Sequence, residues 1–418
     1  MMQEETIMLK KTLTYDRIRI IMAIMLSMIM ACVFFGMTLD LRGMYWSDSP
    51  DHIEAAIKLE GYGLETVIFY FVSKFAGYPF LQFLFAIWET ILVMTTWFFC
   101  QKFIDDYFHI DRWMILLIST GLMFLCSIYI PVICPTFYMH SLGTQPWHSS
   151  TQFAMRLGAI IFLYYFLDAF VEYRNGISIQ KWFRMSIWLG ITTIFKPNFF
   201  MSFCAAFGIV LLRDLLKYKT KKVFKQIIQF GCIIVPSFAV LSVQYWLIYA
   251  SETLGSSSDI QVVFFSDWLW EGNTIHMLFK FGRDMAFPLV VWFIFLWEKK
   301  QYEKNFPLDD NDQRRIKFLI LMYLVSLVVL SLFKETGHRA NHGNFTWGVL
   351  ACYFTLFLYL VPTFIKCSRI YRKNILTGGK RIVMIEAIFG VGFALLSLHA
   401  VSGLLYFHRI VTGKIYWR

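Results

Sequence analysis

The chain has 418 residues, with 39 Lys and Arg against 28 Asp and Glu, a formal net charge of +11, and 58% hydrophobic residues. A soluble domain holds roughly 45–50% apolar residues. The excess here, with a mean hydropathy of +0.56, excludes a water-soluble enzyme and implies an all-α integral membrane protein in contact with the lipid bilayer. Its basic balance is then a matter of membrane orientation, and nucleic acid is not an expected partner.

Long apolar runs place nine full transmembrane helices near 18–36, 79–100, 113–133, 151–171, 226–248, 284–297, 317–333, 345–365 and 383–406. The run 284–297 is short and is expected to start earlier. The first run lacks a small-residue cleavage pattern, so it reads as a span and not as a removable signal. Repeats, low-complexity stretches and CxxC pairs are absent, so residues 1–418 form one integral domain.

Two further apolar segments, within 183–212, bring the total to eleven. They lie between basic loops at 172–184 and 213–225, so the chain must return to its own side. Pro197 cannot continue an unstrained helix and disfavours helical geometry at Lys196. Arms of about 11 and 15 residues would reach only about 16 and 22 Å, against a hydrocarbon core of about 30 Å. A re-entrant pair tipped by Lys196-Pro197-Asn198 is expected, and the alternative is a single kinked span that inverts everything downstream.

The assigned cytoplasmic side carries 27 of the 39 Lys and Arg residues. The positive-inside rule therefore expects a multi-pass cell-membrane protein with a cytoplasmic N-terminus and an outer C-terminus.

The outer connections hold the chemistry. The first, 37–78, contains Asp40, Asp48, Asp51, His52 and Glu54, and Pro50 with Ser49 as cap starts a helix whose apolar positions are Ile53, Ala56, Ile57 and Leu59. A second, more apolar helix over 64–75 is expected to lie at the interface. Its bland counterpart is that Asp51 and Glu54 merely complement a helix dipole while Asp48 is a solvated loop acid. The second outer loop sets His140 and His148 about a Gly-Thr-Gln-Pro-Trp turn, and Ser149 or Ser150 caps a helix from Thr151. Two His at that spacing make a weak metal signal. Arg156 lies inside the following span, where a charge is costly and marks a functional site by default; its structural alternative is an ion pair with Glu89 or Glu386. The third outer loop offers Trp268 as a sugar-stacking face or a belt residue. The fourth, 334–348, gathers Lys334, His338, Arg339 and His342, with Asn344 as a helix cap. Such donors suit a phosphate, whereas a polar hairpin with Glu335 on Arg339 is the plain alternative.

These first-loop acids, the PWHSSTQFAMR element at 146–156, Lys196-Pro197, and the ETGHRANHGNFTWG element at 335–348 resemble a group of multi-pass bacterial membrane proteins similar to the GT-C class of glycosyltransferases. The resemblance implies a sugar donor on a polyprenyl-phosphate carrier, used at the outer face. It also implies a first-loop acid as base, which falls on Asp48 or Asp51. Here the acids stand as Asp-Ser-Pro-Asp and not as a tight pair, and no large soluble outer domain is present.

The chemistry of such a transfer needs a base for the acceptor hydroxyl and a cationic site for the leaving phosphate. Asp48 is the favoured base and Asp51 the second candidate, with His148 orienting the acceptor. Arg339, with Lys196 or Arg156 deeper in, would hold phosphate, and His52, Trp268, His338, His342 and Asn344 complete the binding set. The acceptor is a cell-envelope glycan or a lipid-linked glycan. No cofactor is expected, with a divalent metal left open. A surface polysaccharide polymerase or ligase, and a lipid or glycan transporter, are the alternatives, although a transporter should show two matched broken segments where this chain shows one.

Overall fold

The computed structural model describes residues 2–40, 47–60, 63–132, 142–143, 147, 149–247, 259–263, 274–301, 308–336, 344–374 and 380–412. They form fourteen α-helices: α1 (Met2–Thr38), α2 (Ser49–Lys58), α3 (Leu64–Ser73), α4 (Tyr78–Phe108), α5 (Arg112–Met123), α6 (Ser150–Glu172), α7 (Ile179–Phe195), α8 (Asn198–Tyr218), α9 (Lys221–Gly231), α10 (Val235–Tyr245), α11 (Thr274–Gln301), α12 (Asp310–Leu332), α13 (Thr346–Asn374) and α14 (Lys380–Val411). Eight helical stretches among the described residues are long and apolar enough to cross a membrane, α9 and α10 counting as one. The all-α membrane class therefore holds at this level.

Helix α13 is the axis of the bundle. Its apolar window is wholly buried, whereas those of α1 and of the α9–α10 stretch are only 22% buried. A helix that is apolar on every face and hidden on all sides needs protein neighbours and not lipid. Around it, phenylalanines four residues apart on α6 (Phe162, Phe166, Phe170) interlock with Phe199, Phe203 and Phe207 of α8, with ring centroids 4.7 Å apart for Phe162–Phe203 and 4.9 Å for Phe166–Phe203. The i, i+4 spacing puts each set on one helix face. Since lipid tails are as apolar as Phe, this close ring packing, and not water exclusion, holds the helices together.

Three elements depart from expectation. Over 113–133 the helix stops at Met123, and irregular backbone follows. This stretch is held by side chains from α14: Ser402 Oγ accepts from the Tyr129 amide at 2.9 Å, and His399 Nδ1 lies 2.7 Å from the Cys126 carbonyl. Non-helical backbone at such depth is tolerated because protein surrounds it. Second, α11 begins at Thr274, upstream of 284–297 as expected, but it is not among the eight stretches of the described residues that are apolar enough to cross a membrane. Third, the molecule is not purely helical: β1 (Ile260–Val262) pairs antiparallel with β2 (Phe333–Glu335), Ile260 opposite Glu335. That ribbon ties the connection before α11 to the one between α12 and α13.

The 183–212 region is a hairpin, as expected, but a deeper one. Its arms have 17 and 21 residues, roughly 25 and 31 Å at 1.5 Å per residue. Helix α7 runs antiparallel to α6 along its whole length. Lys181 Nζ meets Asp168 at 2.8 Å at one end, and Lys196 Nζ donates to Thr151 Oγ1 at 3.2 Å at the other. Between them α7 and α6 touch at Gly158, where an added Cβ would lie 2.5 Å from Thr192 Oγ1. Both outer ends of the hairpin return to one end of the bundle, because Tyr173 Oη donates to Asp214 at 2.7 Å. A single kinked crossing does not describe this path.

The bundle thus has two polar ends. One, here called the acidic end, collects the close of α1, the starts of α4, α6 and α13, and the α7–α8 turn. The other, the basic end, collects Asp168, Asp214 and Arg314. Tyr15 of α1 packs on Trp113 at the basic end, whereas Phe407 of α14 packs on Trp147 near the start of α6. The first helix therefore starts at the basic end, and both it and the last helix finish at the acidic end.

Candidate functional site

At the acidic end, helix α2 begins where Pro50 allows it, with Asp48 at the N-cap position. It is not Ser49 that caps. The Asp48 side chain does not cap the helix either, and Ser49 Oγ turns inward to donate to Glu89 Oε1 at 3.0 Å. The apolar side of α2, Ile53 and Ala56, packs with Phe69, Leu81 and Phe85, which seats α2 and α3 over the start of α4. Of the next residues, Asp51 points away and is exposed, whereas His52 lies beside the packed face and is half-buried. The His52 ring lies 6.5 Å from that of Phe85, nearly parallel to it.

Two buried carboxylates lock this layer. Glu65, 2% exposed, accepts from Ser150 Oγ at 2.6 Å and from Trp88 Nε1 at 2.8 Å, with His52 Nδ1 at 4.0 Å. Glu89, fully buried, takes the Ser49 bond on one oxygen, while Oε2 is buried without a hydrogen-bond partner. Burial holds the Glu65 carboxyl above the usual carboxylate range, against the pull of Ser150, Trp88 and Lys196. Asp51 is also raised, by partial burial and then by the negative charge of Asp48. His52 is held below the ordinary histidine value by burial, which outweighs its acidic neighbours Asp48 and Asp51.

Lys196 brings the cation. It is extended (φ −162°, ψ 122°) and joins α7 to α8 with Pro197, the backbone that a residue before Pro prefers. Its ammonium lies 4.0 Å from the centre of the Trp347 ring, a cation–π contact. Close approach at Gly348, where a Cβ would come 2.8 Å from the Asn198 carbonyl oxygen, lets α13 press on the turn. Lys196 bonds to Thr151 while Glu65, with His52 at 4.0 Å, bonds to the adjacent Ser150, so the first loop and the hairpin tip share one neighbourhood.

Of the residues singled out in the sequence, Asp48, Asp51, His52 and Lys196 come together. Arg156 does not join them: it is 2% exposed on α6, deeper in the bundle, with its guanidinium 4.9 Å from the Phe354 ring centre and 5.4 Å from that of Phe153. Asn344 does not cap α13 with its side chain, which donates to Glu335 of β2. Its carbonyl accepts from the Trp347 amide at 3.2 Å, which links it to the Lys196 contact. Likewise Ser149 occupies the N-cap of α6 without a side-chain cap, and Ser150 serves Glu65 instead. His148, Trp268, His338, Arg339 and His342 lie outside the described residues, as does His140.

Sequence reasoning missed Glu65 and gave Glu89 only as a partner for Arg156. The signal for Glu89 was available, since a lone acid inside an apolar span is a functional candidate by default. Glu65 had no such signal, because an acid in the first turn of a helix reads as a dipole complement. Lys280, Arg283 and Asp284 were also overlooked. They are buried on α11, with Arg283 Nε 2.7 Å from Asp284, which accepts the Leu142 amide at 2.9 Å.

Among the described residues no three His, Cys, Asp or Glu side chains are disposed to hold a metal ion. No family model, no curated protein and no solved structure matches the chain.

Proposed function

We propose that the protein is a membrane glycosyltransferase of GT-C type. It moves a sugar from a polyprenyl-phosphate carrier to a cell-envelope glycan or lipid acceptor at the outer face, taken as the acidic end of the bundle. The observation that supports this reading most is that Lys196, bonded to Thr151, and the first-loop carboxylate Glu65, bonded to the adjacent Ser150, stand side by side at one end of the spanning helices. A displacement at the anomeric carbon breaks the bond from sugar to lipid phosphate. It forms a bond to an acceptor oxygen, whose proton passes to a carboxylate.

Asp48 is assigned as that base. It is half-buried at the mouth of the layer, whereas Glu65 and Glu89 are buried and engaged with Ser150, Trp88 and Ser49. Glu65 and Glu89 act as positioning residues that fix α2 and α3. Lys196 faces the leaving phosphate, where developing negative charge is stabilised without reorganisation. The prenyl chain lies against the apolar flanks of the spanning helices.

Purified protein in lipid vesicles, given a polyprenyl-phosphate sugar with a radiolabelled hexose and an acceptor extract, tests the reading. Labelled acceptor, with loss of the lipid-linked label, is expected. Movement of intact lipid-linked sugar between leaflets without any transfer would overturn it in favour of transport.

A further inference from the structure

An open cleft of about 220 Å³ lies at the basic end, between α6, α8 and α12, far from the acidic layer. Its rim carries Arg213, Arg314 and Lys317, with Gln313 beside them and Asp310 as the one acid, and its floor is apolar, with Phe170, Val210, Phe318 and Leu321. The acid nearest the rim cations, Asp214, is 1% exposed. It is already engaged by Tyr173 at 2.7 Å, Arg314 at 3.1 Å and Arg213 at 2.9 Å, with Arg174 at 3.9 Å. One carboxylate therefore faces three guanidinium groups, and Lys317 adds a further positive charge at the rim. The Nε of Arg314 is buried without a hydrogen-bond partner, so donor capacity is left over at the cleft wall.

Charge above and apolar surface below is the profile of an anionic amphiphile. Phe318 and Leu321 follow Lys317 on α12, a helix long and apolar enough to cross a membrane, so the floor of the cleft continues along the spanning part of the bundle. We infer that this cleft is a binding site for the phosphate headgroup of an anionic membrane lipid, whose acyl chains continue down α12 and α8. Basic pockets between spanning helices are the chemistry that recognises such headgroups, and a guanidinium fork suits phosphate oxygens. The inference does not rest on the proposed transfer reaction.

The test uses the full chain in a neutral detergent, probed by native mass spectrometry with phosphatidylglycerol, with phosphatidylcholine and with inorganic phosphate. Phosphatidylglycerol is expected to be retained in preference to phosphatidylcholine. Lys317→Gln, which leaves the Asp214 network untouched, and Arg213→Gln together are expected to weaken that retention on the order of tenfold or more, at about 1 kcal/mol per cation. Lys222→Gln, on exposed α9 outside the cleft, is expected to change nothing. Equal retention of the two lipids, or an equal loss in Lys222→Gln, overturns the site. Full displacement of phosphatidylglycerol by millimolar inorganic phosphate overturns the lipid and leaves only a free anion as ligand.

Discussion

The two ends of the bundle treat a buried carboxylate in opposite ways. At the basic end Asp214 is ringed by Arg213, Arg314 and Arg174 and by the Tyr173 hydroxyl. At the acidic end Glu65 takes its two short hydrogen bonds from uncharged donors, Ser150 and Trp88, and Glu89 leaves one oxygen without a donor. A carboxylate saturated by guanidinium groups is fixed in charge and serves as a tie between helices. One held by neutral donors in a buried layer keeps its proton more readily. The contrast teaches that burial alone does not set a carboxylate's charge: the partners the fold supplies do.

The largest effect expected from breaking the contrast is at the mouth of the acidic end. Asp48→Asn keeps the shape of the side chain and removes its basicity, so transfer should fall about 10²–10⁴-fold while donor binding persists. Should Asp48→Asn remain fully active and Asp51→Asn be dead, the base moves three residues along α2. Activity in both variants, measured on a defined donor and acceptor, would sink the mechanism.

Next comes the tie at the other end. Asp214→Ala strands three arginines around a hole and should cost about 3 kcal/mol, the lower range for a broken buried pair, because Arg213 and Arg174 are partly solvated. Thermal unfolding in detergent should show the loss, with transfer per folded molecule unchanged. A drop in turnover at full stability would mean that the basic end also takes part in the reaction.

A smaller effect is expected at the hairpin tip. Lys196→Met keeps the stem on Trp347 and removes the charge. Loss of one charged contact to phosphate should weaken donor binding and transfer together by about 10–100-fold. Weaker transfer with unchanged donor binding would instead place Lys196 in the transition state alone.

The smallest expected effect is on pH dependence. The folded Glu65 carboxyl is raised, so its contribution to stability is complete below the unfolded glutamate value and fades as pH rises through the folded value. For His52 the folded value is lowered, so its contribution is complete above the unfolded histidine value and fades as pH falls through the folded one. Glu65→Gln should therefore flatten the alkaline limb of a stability profile, and His52→Gln the acid limb. Melting curves between pH 4 and 8 that keep both slopes in the two variants would show that other groups set them.

Much of the fold was legible along the chain because lipid imposes a simple rule: a spanning segment must be apolar and must close its own backbone hydrogen bonds. Runs of 20 or so apolar residues located α1, α4, α6, α12, α13 and α14, and the two basic loops showed that 183–212 returns to its starting end. The Pro50 helix start and the Lys196-Pro197 break were equally plain, since proline acts through local geometry. Other features depended on neighbours distant in sequence. Helix α5 ends at Met123 because Ser402 and His399 of α14 satisfy the irregular backbone after it. The hairpin reaches full depth because Gly158 lets α7 lie along all of α6. Glu65 becomes a buried anchor only when Ser150 and Trp88 arrive from α6 and α4, and Arg156 is withdrawn from the acids by the direction its helix face takes. Composition and spacing determined the segments and the charge at each loop, because those follow from local hydropathy. Which acids are buried, and which cation meets them, was decided only by packing, because a side chain's partners are set by the helix it faces and not by its neighbours in sequence.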